Sequence, residues 1–257
     1  MQKITIIKVG GAVVEDEASL DAFLSDFVEL QGIKILVHGG GRSAAAMAER
    51  MNIPTQMIDG RRVTDQNMLE IVTMVYGGLV NKNIVAQLQA KNLQALGITG
   101  ADMNLIQAHK RLVKDVDYGF VGDVDHVNAK ALKQILEQGI TPIVAPLTHD
   151  GNGQILNTNA DTIAASLAVG LAPFFDVDLY YGFEKNGVLT DVEDDHSVIP
   201  AMTEKTFKEF IAKEVIHSGM IPKLTNSFNA IQKGVKNVYI GHISNLNHPE
   251  KGTRLYQ

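Results

Sequence analysis

Short runs of apolar, β-branched residues alternate along this chain with longer segments of helical periodicity, and that alternation limits the fold more than any other feature. ITIIKV (4–9), IKILVH (33–38), TPIVAPL (141–147), DVDLYYGF (176–183) and VKNVYIG (235–241) read as strands. Between them, EASLDAFLSDFVEL (17–30) places Leu20, Phe23, Leu24, Phe27 and Val28 at helical spacing. RSAAAMAERM (42–51), the long amphipathic stretch 66–92, and segments 159–171, 203–214 and 221–234 read as further helices. Strands separated by helices imply βαβ crossovers, and those put helices on both faces of a parallel sheet. The expected fold is therefore α/β, a three-layer αβα sandwich around a mostly parallel central sheet. Residues 98–127 show period-two alternation with polar turns and predict a β-hairpin flap outside that sheet. The best place for a boundary is Leu171–Pro173, giving lobes 1–172 and 173–257.

Composition narrows the function. The 257 residues carry a net charge of −6 with no basic block, so the stripe that nucleic acid requires is missing. There is no cysteine, which removes disulfides and thiolate metal sites. No apolar run approaches the roughly 20 residues that span a bilayer, and the start lacks a secretory pattern. A cytoplasmic protein without nucleic-acid or membrane partners is expected.

Glycines stand at the carboxyl ends of the first two strands: Gly10-Gly11 and Gly39-Gly40-Gly41. Ligands of open α/β sheets bind outside those ends, and glycine lets backbone N–H groups approach an anion at the start of the following helix. Neither common nucleotide fingerprint fits, because no Gly-Lys dipeptide occurs and HGGGRSAA lacks the third glycine of G-x-G-x-x-G. A dinucleotide-dependent oxidoreductase is thereby disfavoured. Lys8 interrupts an apolar strand two residues before the first glycine turn, where a lysine is costly unless it serves a site or snorkels from an edge. In ILNTNAD (155–161), Asn157, Asn159 and Asp161 alternate, so on an extended segment all three would face one cleft; Asn159 or Asp161 only capping the helix is the competing reading, but three in alternation are more than a cap requires. Lys223 sits in the first turn of a helix in GMIPK (219–223), against the helix dipole. The adjacent arginines of GRRVTD (60–65) suit a planar carboxylate clamp.

Taken in order and spacing, KVGG (8–11), VHGGG (37–41), GRRVTD (60–65), LNTNAD (156–161), GMIPK (219–223) and GTRL (252–255) resemble the N-acetylglutamate kinases of the amino acid kinase family, over essentially the whole chain. The resemblance implies transfer of the γ-phosphoryl group of ATP, brought in with Mg²⁺, to the side-chain carboxylate of an N-acylated L-glutamate, in arginine biosynthesis. It implies that Lys8 and Lys223 neutralise the phosphoryl group in flight and that Asp161 orients both. Gly10, Gly11 and Asn159 would meet phosphate; Gly40, Gly41, Arg62 and Asn157 would hold the acylated amino acid. No protein metal ligand is expected. Two departures stand out. Many relatives carry Ser/Thr-Asp-Val-x-Gly where this chain reads LYYGFEKNGVL (179–189), so adenosine contacts near Gly182–Asn186 are not carried over. The chain also begins two residues before its first strand, without the N-terminal helix of arginine-inhibited hexamers, so an arginine-insensitive homodimer is expected, with 66–92 as the candidate interface. An N-succinyl substrate remains open, for which Lys110, Arg111 and Lys114 in the flap are candidate partners, as does a non-catalytic amino-acid or nucleotide sensor on the same fold.

Overall fold

The computed structural model describes residues 1–58, 61–191, 193–213, 215–216 and 220–257, less the side chain of residue 222. In chain order, β1 (Lys3–Val9) runs into α1 (Gly11–Glu15) and α2 (Glu17–Glu29), and β2 (Ile33–His38) into α3 (Gly41–Arg50). The short strands β3 (Met57–Ile58) and β4 (Arg61–Arg62) pair with each other before α4 (Gln66–Val72), a π-helical stretch (Thr73–Val80) and α5 (Asn81–Ala90). β5 (Ala95–Ile98), β6 (Ile106–Lys110), β7 (Gly122–Val127), α6 (Ala129–Glu137), β8 (Thr141–Val144), β9 (Leu147–His149), β10 (Ile155–Asn157) and α7 (Ala160–Leu171) follow. Beyond them lie β11 (Asp176–Phe183), β12 (Ala201–Met202), α8 (Glu204–Ala212), α9 (Ile221–Gln232), β13 (Asn237–His242) and β14 (Thr253–Leu255).

Eight strands form the central sheet in the order β12-β14-β13-β11-β1-β2-β8-β5, parallel through β13-β11-β1-β2-β8-β5, with β14 antiparallel to β13. Its two faces bury separate apolar clusters. Ile4 and Ile6 of β1 face a cluster shared with α6–α9; Ile7 and Val9 face one shared with α1–α5. Alternation then puts Lys8 on the Ile4–Ile6 face, at the end where that row leaves the core. The chain proceeds from β1 to β2 on one side, while β11 lies on the other, so the strand order reverses between β1 and β11. Crevices for ligands open at such reversals.

Local chemistry sets the ends of these elements. Asp16 caps α2 by accepting from Ser19 N at 2.8 Å. At the other end of α2 no basic residue occupies the last turn; Lys34 reaches over from β2 and donates to the carbonyls of Phe27, Val28 and Leu30 at 2.7–2.8 Å. Burial pushes its ammonium down to about 8, and those three carbonyls pull the other way.

The three-layer α/β expectation matches the structure; several details differ. TPIVAPL is not one strand. β8 ends at Val144, and after Ala145-Pro146 the chain enters β9, in a second sheet ordered β10-β9-β6-β7. Proline has no N–H to continue the ladder. The flap is thus four strands, built from the expected β6–β7 hairpin and an antiparallel β9–β10 hairpin. The helical stretch 66–92 ends at Ala90 and contains the π-helical turns, in which Gly77 and Gly78 lie.

Candidate active site

The two glycine turns lie back to back. Gly39 N donates to Val9 O at 3.0 Å, and a Cβ on Gly39 would stand 3.0 Å from Gly11 N. Gly40 has φ +151°, and a Cβ there would meet Tyr76 Cδ1 at 3.1 Å. Glycine is required at 39 by proximity and at 40 by conformation as well. No side chain caps α3 at Gly40, which leaves early N–H groups open to an anion; Ser43 N is already taken by Glu15 Oε1 at 2.6 Å.

His38 anchors the second turn from below. It is fully buried, and burial, helped by the charge of Lys82, pushes it down to about 4, so it is neutral at pH 7. Its Nδ1 lies 2.7 Å from Gly39 O, so that nitrogen donates, and Nε2 accepts from Asn81 Nδ2 at 3.1 Å. Asn81 also donates to Ile143 O at 2.9 Å, tying β2 to β8 under the loop.

Beyond this turn is a cleft of about 210 Å³ lined by Gly40, Gly41, Arg62, Tyr76, Asn157 and Asn159 among others. Arg62 donates through Nη2 to Gly41 O at 2.7 Å; its Nη1 is buried without a hydrogen-bond partner among the described residues. Asn157 donates to Thr64 Oγ1 at 3.0 Å, and its backbone N–H to Phe120 O at 2.9 Å, so the flap closes one wall of the cleft. Of the three flap cations, Arg111 lines this cleft, doubly bonded to Asp123, with Nη1 buried and without a partner among the described residues; Lys110 and Lys114 are exposed.

A second cleft of about 470 Å³ opens at the ends of β1 and β11. Lys8, Gly10, Gly11 and Lys223 line one side, and Val188, Leu189, Ile216, Met220 and Ile240 give it an apolar wall. Gly182, Phe183, Glu184 and Lys185 of the divergent stretch line it too.

Asp161 stands in the first turn of α7. Its Oδ1 pairs with Lys8 Nζ at 2.8 Å and its Oδ2 with Lys223 Nζ at 3.6 Å. Side-chain exposures of 12%, 21% and 35% for Lys8, Asp161 and Lys223 leave the ammonium of Lys223 the most open of the three groups. Burial alone would raise the Asp161 carboxyl, but the two lysines outweigh it and hold it below the usual carboxylate value. Burial pushes Lys223 down, and Lys8 adds to that, while Asp161 opposes. The chemical result is two cations clamped by one anion, with net charge +1, between two clefts. Such a centre attracts a more negative group than itself.

The alternation expected of Asn157, Asn159 and Asp161 does not hold, because the chain turns into α7 at Ala160. Asn159 is the helix cap, accepting through Oδ1 from Asp161 N and Thr162 N at 2.8 and 3.1 Å. Asp161 reaches the lysines from the helix. In GMIPK, Gly219 lies outside the described residues, as does Gly60 of GRRVTD. Sequence reasoning missed Glu15, Tyr76 and Phe183; no spacing marks them, since each is set by tertiary contact. A groove of about 900 Å³ between β7, α7 and α9 is lined by neither lysine of the centre.

These features define a class. Residues 3–242 match the amino acid kinase family, and the chain belongs to it. Within that family it is 60% identical to the acetylglutamate kinase of Phocaeicola vulgatus, covering 96% of each chain, and 56% identical to that of Bacteroides fragilis, covering 99% of this chain and 97% of the other. Its fold superposes on the structure of smu.665 from Streptococcus mutans with a TM-score of 0.80 at 32% identity over 98% of each chain.

Proposed function

We propose that this chain transfers the γ-phosphoryl group of ATP to the side-chain carboxylate of N-acetyl-L-glutamate, forming an acyl phosphate and ADP at an early step of arginine biosynthesis in the cytoplasm. The observation that carries the reading is the Lys8–Asp161–Lys223 centre between two clefts, together with relatives of that name at 55–60% identity over nearly the whole chain.

An anion must attack an anion here, so charge neutralisation is the main task. Lys8 and Lys223 supply it from β1 and α9. A glutamate side chain is ionised at neutral pH and needs no base, which leaves Asp161 to hold the two ammonium groups in place and aimed. Backbone N–H groups of Gly10 and Gly11 and the amide nitrogen of Asn159, whose oxygen caps α7, face the phosphates. Gly40 and Gly41 meet the attacking carboxylate, Arg62 takes the α-carboxylate through its unpartnered nitrogen, and Asn157 the acyl amide. Lobe 1–172 thus carries the acceptor, and 173–257 most of the nucleotide wall. ATP phosphates bring Mg²⁺, which keeps much of its water; among the described residues no group of three His, Asp or Glu side chains is placed to hold a metal. The exposed Met74 and Leu79 on the π-helical stretch support a homodimer through this helix, which light scattering tests.

One observation favours a second acyl group. Arg111 Nη1, buried and unpartnered on the flap side of the acceptor cleft, suits the extra carboxylate of an N-succinyl substrate. The test is ADP formation from MgATP with N-acetyl- and N-succinyl-L-glutamate side by side, the acyl phosphate being trapped with hydroxylamine. Turnover of neither would overturn the proposal, and preference for one fixes the acyl group.

A further inference from the structure

Phe183 is the last residue of β11, paired alongside His242 of β13. Its ring centroid lies 3.8 Å from Lys223 Nζ and 5.7 Å from Lys8 Nζ. The ring stacks on Tyr181 at 6.3 Å with 28° between planes, and the Tyr181 hydroxyl donates to Asp161 O at 3.3 Å. Tyr181 is the lateral neighbour of Lys8 in the sheet register, and the i, i+2 spacing puts Phe183 on the same face. The two ammonium groups therefore have Asp161 on the α7 side and an aromatic face on the β11 side. A ring attracts a cation through its quadrupole without cancelling its charge. A second carboxylate here would neutralise the pair and repel phosphate.

Resting on the reading of this centre as a phosphoryl-transfer site, we propose that Phe183 is a positioning residue whose ring face seats the Lys223 ammonium, and at longer range that of Lys8, leaving their full charge for the transferred group. The described residues that place charged or titratable groups against this pair are Asp161 from α7 and Tyr181 from β11, with Glu184 and Lys185 lining the same cleft. Among the described residues, the ring and Asp161 are the groups in direct contact that favour the charged form of Lys223, so losing the π face should lower the pH at which Lys223 loses its proton.

The test compares Phe183→Leu, which removes the π face, with Phe183→Tyr, which keeps it. Phe183→Met fills a similar volume and replaces the leucine variant if that one melts early. The π-less variant is expected to lose roughly tenfold in kcat, about 1.4 kcal/mol, with KM for MgATP within about threefold and with the alkaline limb of the kcat profile moved to lower pH. The tyrosine variant stays near wild type. Independently of turnover, ¹³C-labelled lysine in the ligand-free protein, with the signal assigned through Lys223→Arg, should show the Lys223 midpoint falling by roughly one pH unit in the π-less variant. An unchanged midpoint, or equal losses in the leucine and tyrosine variants, reduces Phe183 to packing and overturns the proposal. Failure of wild-type enzyme to form ADP would instead overturn the function, and the lysine titration would still decide the role of the ring.

Discussion

Replacing Asp161 by asparagine keeps the shape of the centre and removes its only negative charge. The carboxylate faces Lys8 at 2.8 Å and Lys223 at 3.6 Å. At an effective dielectric of about 20, each such contact is a gross attraction of about 4 kcal/mol or more, most of it offset by desolvation. What remains after the substitution is two ammonium groups with nothing negative between them, and their mutual repulsion turns one of them away. If the reacting phosphoryl group thereby loses one of two aimed cations, the loss should match that of one transition-state donor, about 3–4 kcal/mol, or a kcat lower by about 10²–10³-fold. KM for either substrate should change far less, because the glycine turns and Arg62 are untouched. Stability gives a second readout with a definite sign. The Asp161 carboxyl is held below its unfolded value of 3.8, so its contribution is complete above that pH and is lost as pH falls through the folded value. The stability gap between wild type and Asp161→Asn should accordingly be full at pH 7 and shrink below pH 3.8. Initial rates by hydroxamate formation and urea unfolding at several pH values measure both. A variant turning over within threefold of wild type would refute the argument that Asp161 aims the lysines.

Arg62→Lys keeps charge but loses the fork that bonds Gly41 O and leaves Nη1 free; KM for the acylated glutamate should rise by roughly 10–100-fold with kcat changing less, and an unchanged KM would detach Arg62 from the acceptor. Gly40→Ala forces a side chain to φ +151° against Tyr76, so urea unfolding should show a loss of about 1–3 kcal/mol, and a stable variant would mean the turn relaxes freely. His38, at about 4 when folded against 6.5 in the open chain, binds fewer protons when folded between those values; stability should therefore fall by up to roughly 3 kcal/mol as pH drops through that window. Its imidazole should show no NMR titration above pH 5.5 or so, and a midpoint near 6.5 would refute its burial as a neutral ring.

Legibility in the sequence followed the range of the forces involved. Strands with alternating helices, and glycines at strand ends, are local patterns, and β1, β2 and β11 lie within a residue of where those patterns put them. The exit of the chain at Pro146 into the flap depends on which strand is free to pair, so TPIVAPL looked continuous. Lys8 stood out because a lone cation in an apolar run is rare; Phe183 did not, because an aromatic in a strand is ordinary and its use comes from the lysine of a helix 40 residues on, taking 183 from 223. The alternation argument chose Asn157, Asn159 and Asp161 by a rule that fails at Ala160, where the helix begins.

The two lysines are rooted in different parts of the architecture. Lys8 belongs to β1, laddered on both sides at the middle of the sheet, so its backbone can exchange with solvent only when the whole molecule opens. Lys223 rides on α9, an outer-layer helix held by packing on α7, α8 and β13, and can leave at a lower free energy. One pole of the centre is fixed as firmly as the fold itself, and the other is detachable. In rising denaturant, then, activity should fade in step with amide exchange in α9 rather than in β1, and the molecule can lose its chemistry while its sheet is still whole.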